Sequence, residues 1–403
     1  MRSPLLLFFA LALPVLGDDT GLRFLEDRVK KDPDDFTAQN MLAARYLDLM
    51  RSTGQDEWLM KAHRAAETSV KSVPADANTA GLAVLARAQL AAHEFAAARD
   101  GGQRLVKMAP HKAAGFAVLG DAQLELGDYD AAADAYQSLA RLDEGGIDSE
   151  SRLARLAFVR GELDAARAHF QSALAQSRAL TSPAPSLVAW CCVQLGQLDF
   201  GRGDLENAGK QYQAALVALP DYYAAVDHMA ELRANQEKYP EAIRLYEGVI
   251  ARLPRPELFQ ALGDVYTFAG KLDEAKPWHE RARTAYTKSA EQGDARYFHH
   301  LAGFYSDSET NSGEALKWAR RDLEIRHGIF AHDALAWALY KNGEIDAAAA
   351  EMEKALSKGT KDGHLYFHAA MIFSVKGDLA RGKDFLRRAA EVNPRYHAFH
   401  VHR

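Results

Sequence analysis

The chain is poor in several features that mark particular protein classes. Only two of its 403 residues are cysteine, and they are neighbours, Cys191 and Cys192. Adjacent residues on a helix point in different directions, so we expect two small buried side chains here and no disulfide or redox site. The net charge is only -6, with acidic and basic residues interspersed. No broad basic stripe is present, which excludes nucleic acid as the expected partner.

Long apolar runs are confined to the amino terminus. Arg2 precedes the apolar run Leu5–Leu13, which a small residue, Gly17, and two aspartates follow. This order of charge, short apolar run and small residue is typical of a secretory signal peptide. We therefore predict a signal peptide at residues 1–17 and an exported protein, periplasmic or secreted, that begins near Asp18. No later run is long enough to span a membrane.

Signatures of catalysis are also missing. The sequence contains no phosphate-binding glycine loop, no G-x-S-x-G elbow and no metalloprotease helix. His279-Glu280 comes nearest to the last of these, but Arg283 stands where the second histidine is required. We expect a protein that is not an enzyme and has no cofactor.

The chain does contain an internal repeat. In residues 189–221, Leu195-Gly196 is followed by a Gly203-Asp204 turn, then by Ala208 with Tyr212 four residues later, and Pro220 ends the unit. Similar offsets return about every 34 residues from Phe36 onward. Longer steps indicate insertions near 52–58, 181–188 and 290–294. Residues 18–35, with their one-sided apolar stripe, are predicted to form a helix that covers the amino-terminal edge.

Small side chains recur in phase with this repeat. Two helices can cross closely only where a small residue lies at the crossing. The eighth position of successive repeats is always small: Ala86, Gly120, Ala154, Gly196, Ala230, Gly263, Ala302, Ala336 and Ala370. The twentieth position is also small throughout, although Ala315 falls one residue late. An ordinary alanine-rich bundle gives no reason for small residues at one fixed phase.

The pattern resembles the tetratricopeptide repeat, whose signature is W-x2-L-G-x2-Y, then A-x3-F, then Pro. The resemblance implies an all-α fold, a right-handed superhelical α-solenoid of about ten helix-turn-helix repeats over residues 36–394. It also implies a scaffold that binds a protein or peptide partner in a concave groove. The family's groove-facing slots fall here on these candidate partner-binding residues: Arg87, Arg155, Trp190, Phe200, Phe268, Phe330, Trp337, Tyr340 and Phe367.

Two interpretations of the aromatic candidates stay open at this point. Aromatic side chains in a groove can grip an apolar helix or an extended peptide. Single aromatic residues on helices also commonly pack against neighbouring helices. For Phe330, Trp337 and Phe367 the sequence favours packing between helices, with partner binding as the alternative.

Histidines and the carboxy-terminal edge raise two further hypotheses. His364 and His368 share a helix face, and the predicted tail, residues 395–403, carries His397, His400 and His402. Histidines at such spacings can bind zinc, nickel or copper, so the alternative function is a periplasmic metal-handling accessory protein.

Solenoids usually end in a polar cap, and none follows Pro394. We therefore expect a partner or a second copy, forming a homo-dimer, to cover this edge, which light scattering would test.

Overall fold

The computed structural model describes residues 19–74, 76–182 and 184–396. Within these ranges the chain forms 21 α-helices, one short 3-10 turn and one π-helical turn, and it contains no β-strand. The predicted all-α class and the helical-repeat solenoid are confirmed. The predicted signal peptide, residues 1–17, and the tail from 397 onward lie outside the described ranges. None of the described helices combines the length and the apolar character needed to cross a bilayer.

The helices follow one another as antiparallel pairs joined by short turns. Their bounds are α1 Asp19–Lys31, α2 Phe36–Thr53, α3 Asp56–Ser72, α4 Thr79–Ala91, α5 Phe95–Met108, α6 Ala113–Glu125, α7 Tyr129–Leu142, α8 Ile147–Val159, α9 Leu163–Ala179, α10 Pro185–Gly201 and α11 Leu205–Ala218. The remaining helices are α12 Tyr223–Asn235, α13 Tyr239–Ile250, α14 Pro256–Phe268, α15 Leu272–Glu291, α16 Phe298–Gly303, α17 Ser312–Ile325, α18 Ile329–Lys341, α19 Ile345–Leu356, α20 Gly363–Val375 and α21 Leu379–Val392. The 3-10 turn Ala295–Tyr297 precedes α16, and the π-helical turn Phe304–Ser308 follows it.

The Gly-Asp pairs of the sequence form the turns between paired helices. In the turn from α10 to α11, Gly203 has φ of +73°, a left-handed conformation that costs glycine little. The next residue, Asp204, is the N-cap of α11, and its carboxylate accepts a hydrogen bond from the backbone N–H of Asn207. Each two-residue signal thus ends one helix and begins the next.

The small residues at the helix crossings have the expected role. A Cβ atom on Gly196 would lie 2.3 Å from the ring of Tyr212, and one on Gly120 would lie 2.4 Å from the ring of Tyr136. Both tyrosines are fully buried in their helix pairs. A large ring on the second helix therefore fills the space left by a missing side chain on the first, which explains why the repeat keeps both positions.

Two compact units can be distinguished along the described chain. Residues up to 156 together with 168–188 form the amino-terminal unit, and residues 157–167 together with 189–396 form the carboxy-terminal unit.

The insertions predicted from the sequence form a short loop or lengthen a helix. Gly54 and Gln55 separate α2 from α3, α10 begins early at Pro185, and α15 continues to Glu291. Both cysteines are buried, as expected.

A buried ionic cluster ties three helices of the amino-terminal unit together. The Arg152 guanidinium on α8 donates to both carboxylate oxygens of Asp121 on α6, at 3.0 and 2.9 Å. Tyr136 on α7 donates its hydroxyl to the same carboxylate at 3.0 Å. Asp121 and Arg152 are almost fully excluded from solvent. Burial alone would lower the pKa of Arg152, but Asp121 and Asp148 raise it above its ordinary value, so the guanidinium stays charged.

Contacts between segments distant in sequence occur inside the carboxy-terminal unit. The Thr360 hydroxyl donates to the backbone carbonyl of Val159, 201 residues earlier. The Asn393 amide donates to the carbonyl of Phe200 at 3.4 Å. The last described residues therefore pack on the α10–α11 turn of the same chain. The homo-dimer stays a prediction, but part of the edge on which it was based is covered by the chain itself.

Candidate partner-binding surface

Trp337 on α18 is the centre of an aromatic cluster in the carboxy-terminal unit. Its ring stacks on Tyr340, with centroids 4.9 Å apart and planes 15° from parallel. The Trp337 ring also stacks on His368 of α20, with centroids 4.0 Å apart and planes 11° from parallel. Residues 337 and 340 are three apart, so they share one face of α18. The stacking across helices fixes the Trp337 ring in one orientation.

Four further aromatic residues extend this cluster or lie beside it. Phe367 on α20 stacks on Tyr396 at 5.4 Å and approaches Trp337 at 6.4 Å. Phe330, near the start of α18, stacks on Phe158 of α8 at 6.4 Å. We name the whole set the carboxy-terminal aromatic surface: Phe158, Phe330, Trp337, Tyr340, Phe367 and Tyr396.

A carboxylate and an ammonium group border the surface. The indole N–H of Trp337 donates to Asp307, with both oxygens within 3.2 Å of Nε1. Lys341 Nζ lies 3.2 Å from the same carboxylate and 5.0 Å from the Trp337 ring centroid. The Asp307 side chain is about half exposed, so the carboxylate can accept further hydrogen bonds.

Asp307 owes its position to the π-helical turn. This turn, Phe304–Ser308, accommodates one extra residue in the first helix of its repeat. The extra residue explains why Ala315 follows Ala302 by thirteen positions instead of twelve. The wider π-turn changes the direction of the side chains within it, and here it places Asp307 beside Trp337. Single-turn π-helices of this kind often occur at functional sites.

Polar side chains on other helices of the carboxy-terminal unit form further hydrogen bonds beyond the aromatic surface. Ser308 donates its hydroxyl to Asp264 on α14 at 3.0 Å, and His279 of α15 lies 2.9 Å from the other oxygen of that carboxylate. Burial raises the pKa of Asp264 above its ordinary value, although both hydrogen bonds act in the opposite direction. Farther along, Gln197 contacts His228 at 2.7 Å, and His228 contacts Glu231 at 3.1 Å. The named polar side chains therefore hydrogen-bond to one another.

The predicted partner-binding residues of the carboxy-terminal unit differ in exposure. Phe330, Tyr340 and Phe367 are half-buried, and Phe268 is 41% exposed at the end of α14. Trp337 is 8% exposed, and its ring edge reaches Asp307. Trp190 and Phe200 are only 3% and 7% exposed, and Phe200 packs among Leu205, Tyr212 and Met229. The structure thus brings Trp337, Tyr340 and Phe367 together and leaves the α10 aromatics in the core.

The two predicted arginines lie in the amino-terminal unit and are buried. Arg155 donates to Glu125 at 2.9 Å, so a partner carboxylate would have to replace Glu125. Burial lowers the pKa of Arg87 to about 10, although Asp48 raises it. Their role in binding a partner stays a prediction.

Sequence reasoning missed two members of the site. Tyr396 lies in the segment interpreted as a polar tail, where no repeat phase points to a packed ring. Asp307 lies within the π-turn, so the standard groove-facing slots do not reach it. The signal in the sequence that could have indicated the π-turn was the position of Ala315, one residue later than the repeat predicts. His397, His400 and His402 lie outside the described residues, and their metal binding stays a prediction.

Comparison with known proteins gives matches to one repeat family and to several solved structures. Family models described as "Tetratricopeptide repeat" match residues 84–147, 150–172 and 330–354. A thermophilic tetratricopeptide-repeat protein of Thermus thermophilus is 21% identical, with a TM-score of 0.42 over 49% of this chain and 98% of its own. A human IFIT1 dimer with PPP-AAAA is 14% identical, with a TM-score of 0.47 over 93% and 95%. MamA is 21% identical, with a TM-score of 0.34 over 43% and 97%.

No curated protein sequence shows significant similarity to the chain. The structural likenesses are weak, so the assignment depends on the family models and on the repeat itself. The matched segments fall in both the amino-terminal and the carboxy-terminal unit. They coincide with helix pairs whose small crossing residues and turns follow the repeat's phase. The chain therefore contains tetratricopeptide repeats, which the family models match over part of its length.

Proposed function

We propose that the chain is a non-catalytic interaction scaffold that binds a segment of a partner protein on the carboxy-terminal aromatic surface. Tetratricopeptide repeats imply a protein-interaction scaffold, and this surface is the place proposed for the contact with the partner. One observation carries the proposal. Phe330, Tyr340 and Phe367 are only half-buried, whereas the aromatic residues at the crossings, such as Tyr212 and Tyr246, are fully buried.

The chemistry of the surface indicates the kind of segment that it binds. Half-buried rings held in fixed positions bind apolar side chains at a low cost in conformational entropy. The half-exposed Asp307 carboxylate can accept a hydrogen bond from a backbone N–H or from a lysine or arginine. We therefore propose an apolar peptide or helix with one donor group placed against Asp307.

A photo-crosslinking residue at Tyr340 tests this proposal directly. Crosslinking in the native host is expected to trap one partner species from position 340 and the same species from position 367. The matched control is Leu379 on α21, which is 60% exposed but belongs to no part of the aromatic surface. The same species captured equally well from position 379, or none from 340 and 367, contradicts the proposed surface.

We further propose that the encounter takes place outside the cytoplasm, in the cell envelope or the extracellular space. The support is the sequence of residues 1–17, which has the order of a cleavable secretory signal. The protein recovered from the envelope or medium is expected to have an intact mass that begins near Asp18. Recovery of the uncleaved chain from the cytoplasm alone would exclude export.

A further inference from the structure

We infer that Asp333, His364 and His368 form a binding site for a divalent first-row transition-metal ion such as Zn²⁺. The two histidines are one helical turn apart on α20, and Asp333 faces them from α18. One ligand atom from each residue lies within 4.8 Å of the others. His368 Nδ1 and Asp333 Oδ1 are 3.0 Å apart. We name these three residues the triad.

These separations are close to those of a tetrahedral zinc site. Zinc binds histidine nitrogen and carboxylate oxygen at about 2.0–2.2 Å, so neighbouring ligand atoms lie about 3.3 Å apart. The pair formed by His368 and Asp333 already meets this spacing. The widest pair has to close by at most about 1.5 Å, which rotation of a side chain can supply. The backbones of α18 and α20 can therefore remain where they are.

Surrounding groups hold the imidazoles in place. The Trp337 ring stacks on His368, with centroids 4.0 Å apart, and limits its rotation. The Tyr396 hydroxyl lies 3.0 Å from His364 Nδ1. Hydrogen-bond partners of this kind orient metal-binding histidines and tune their basicity. Asp333 and His368 are buried, so little water competes for their ligand atoms.

The hydrogen bond that joins α18 to α20 involves only one of the two histidines, His368. The same unit contains His279 against Asp264 at 2.9 Å and His299 against Asp322 at 3.0 Å, each with a single imidazole bridging two helices. Among the described residues, the triad alone groups three such side chains within ligand distance. His364 is therefore not needed to join α18 to α20, and its hydrogen bond to Tyr396 occupies one ring nitrogen and leaves the other for a metal ion.

The donor set limits which ions fit. Two imidazoles and one carboxylate suit zinc, nickel, copper or ferrous iron, whereas calcium and magnesium prefer oxygen ligands. Three protein ligands leave one coordination position for water or for a side chain of another molecule. The triad borders the carboxy-terminal aromatic surface through Trp337, yet its metal binding does not depend on the function proposed for that surface.

Metal titration of the untagged full-length protein tests the inference. After chelator treatment, calorimetry with Zn²⁺ is expected to show one ion per chain, and Co²⁺ is expected to give the visible absorption of a low-symmetry site. His364→Ala and His368→Gln should each weaken binding by more than about 100-fold. Glutamine at 368 keeps a donor for Asp333, so this variant separates loss of the metal from loss of the fold.

Two controls make the outcome decisive. His332→Gln removes an imidazole that pairs with Glu351 at 2.8 Å outside the triad, and it should leave binding unchanged. The combined variant His397→Ala, His400→Ala and His402→Ala should also leave the stoichiometry and the Co²⁺ spectrum unchanged. Binding lost in the tail variant but kept in His364→Ala, or no saturable binding by the parent protein, overturns the inference.

Discussion

Replacing Asp121 by asparagine is expected to lower the free energy of unfolding of the amino-terminal unit by about 3–5 kcal/mol. The change removes the carboxylate that the buried Arg152 guanidinium contacts through two hydrogen bonds, and the more distant Asp148, 3.5 Å away, remains as its partner. It also weakens the acceptor of the Tyr136 hydroxyl. Breaking a buried ion pair costs far more than the intact pair contributes, because the remaining charge keeps its desolvation penalty, so the loss should exceed that of a typical surface substitution.

Hydrogen exchange measured over residues 113–156 is the appropriate readout, because repeat arrays need not unfold in one step. Asp134→Asn on the exposed face of α7 is the matched control and should change stability by no more than about 0.5 kcal/mol. The double variant Asp121→Leu with Arg152→Met, which removes both charges, should recover much of the loss. Equal effects of Asp121→Asn and Asp134→Asn would show that the cluster is not a stabilising centre.

Substituting Gly161 by alanine is expected to open the contact between the α8–α9 turn and the loop that precedes α20. Gly161 has φ of +72°, and a Cβ atom there would lie 2.2 Å from the carbonyl oxygen of Gly359. The left-handed conformation costs a residue with a side chain about 1–2 kcal/mol, and the steric clash adds to this. The hydrogen bond from Thr360 to Val159 should be lost as the loop moves away.

The chain offers a close control for this prediction. Gly270 occupies the equivalent turn between α14 and α15 with φ of +73°, but a Cβ atom there would meet nothing within 4 Å. Gly270→Ala should therefore show the conformational cost alone. Hydrogen exchange of peptides covering 157–163 and 358–367 should accelerate at least about tenfold more in Gly161→Ala than in Gly270→Ala, equivalent to about 1.4 kcal/mol of opening free energy. Indistinguishable rates in the two variants would mean that the contact contributes nothing.

The helix pairs could be predicted because their signals are local. A glycine followed by aspartate ends one helix and caps the next within four residues, as Gly203 and Asp204 show. A small residue such as Gly196 and a ring such as Tyr212 meet within one helix pair, so their spacing is fixed along the chain. Neither signal depends on residues from a distant repeat.

The side chains of the candidate site were harder to predict, since the exposure of a helix face depends on what packs over it. Phe200 occupies a groove-facing slot by its number, but Met229 of the next repeat and Leu205 cover it. Asp307 reaches Trp337 only because the helix contains one extra residue in a π-turn. The groove-facing positions of the repeat are counted along a regular α-helix, so they no longer identify the groove-facing residues once the extra residue is included.

The amino-acid sequence by itself determined the repeat, because helix capping, turn geometry and close helix crossing act over a few neighbouring residues. Only the tertiary structure decided which repeats meet again far along the chain, as Gly161 does with Gly359 and Phe200 with Asn393. It also decided that Asp333 and two histidines converge beside Trp337. The physical reason is that small rotations between successive helix pairs add up over many repeats, and no single repeat encodes their sum.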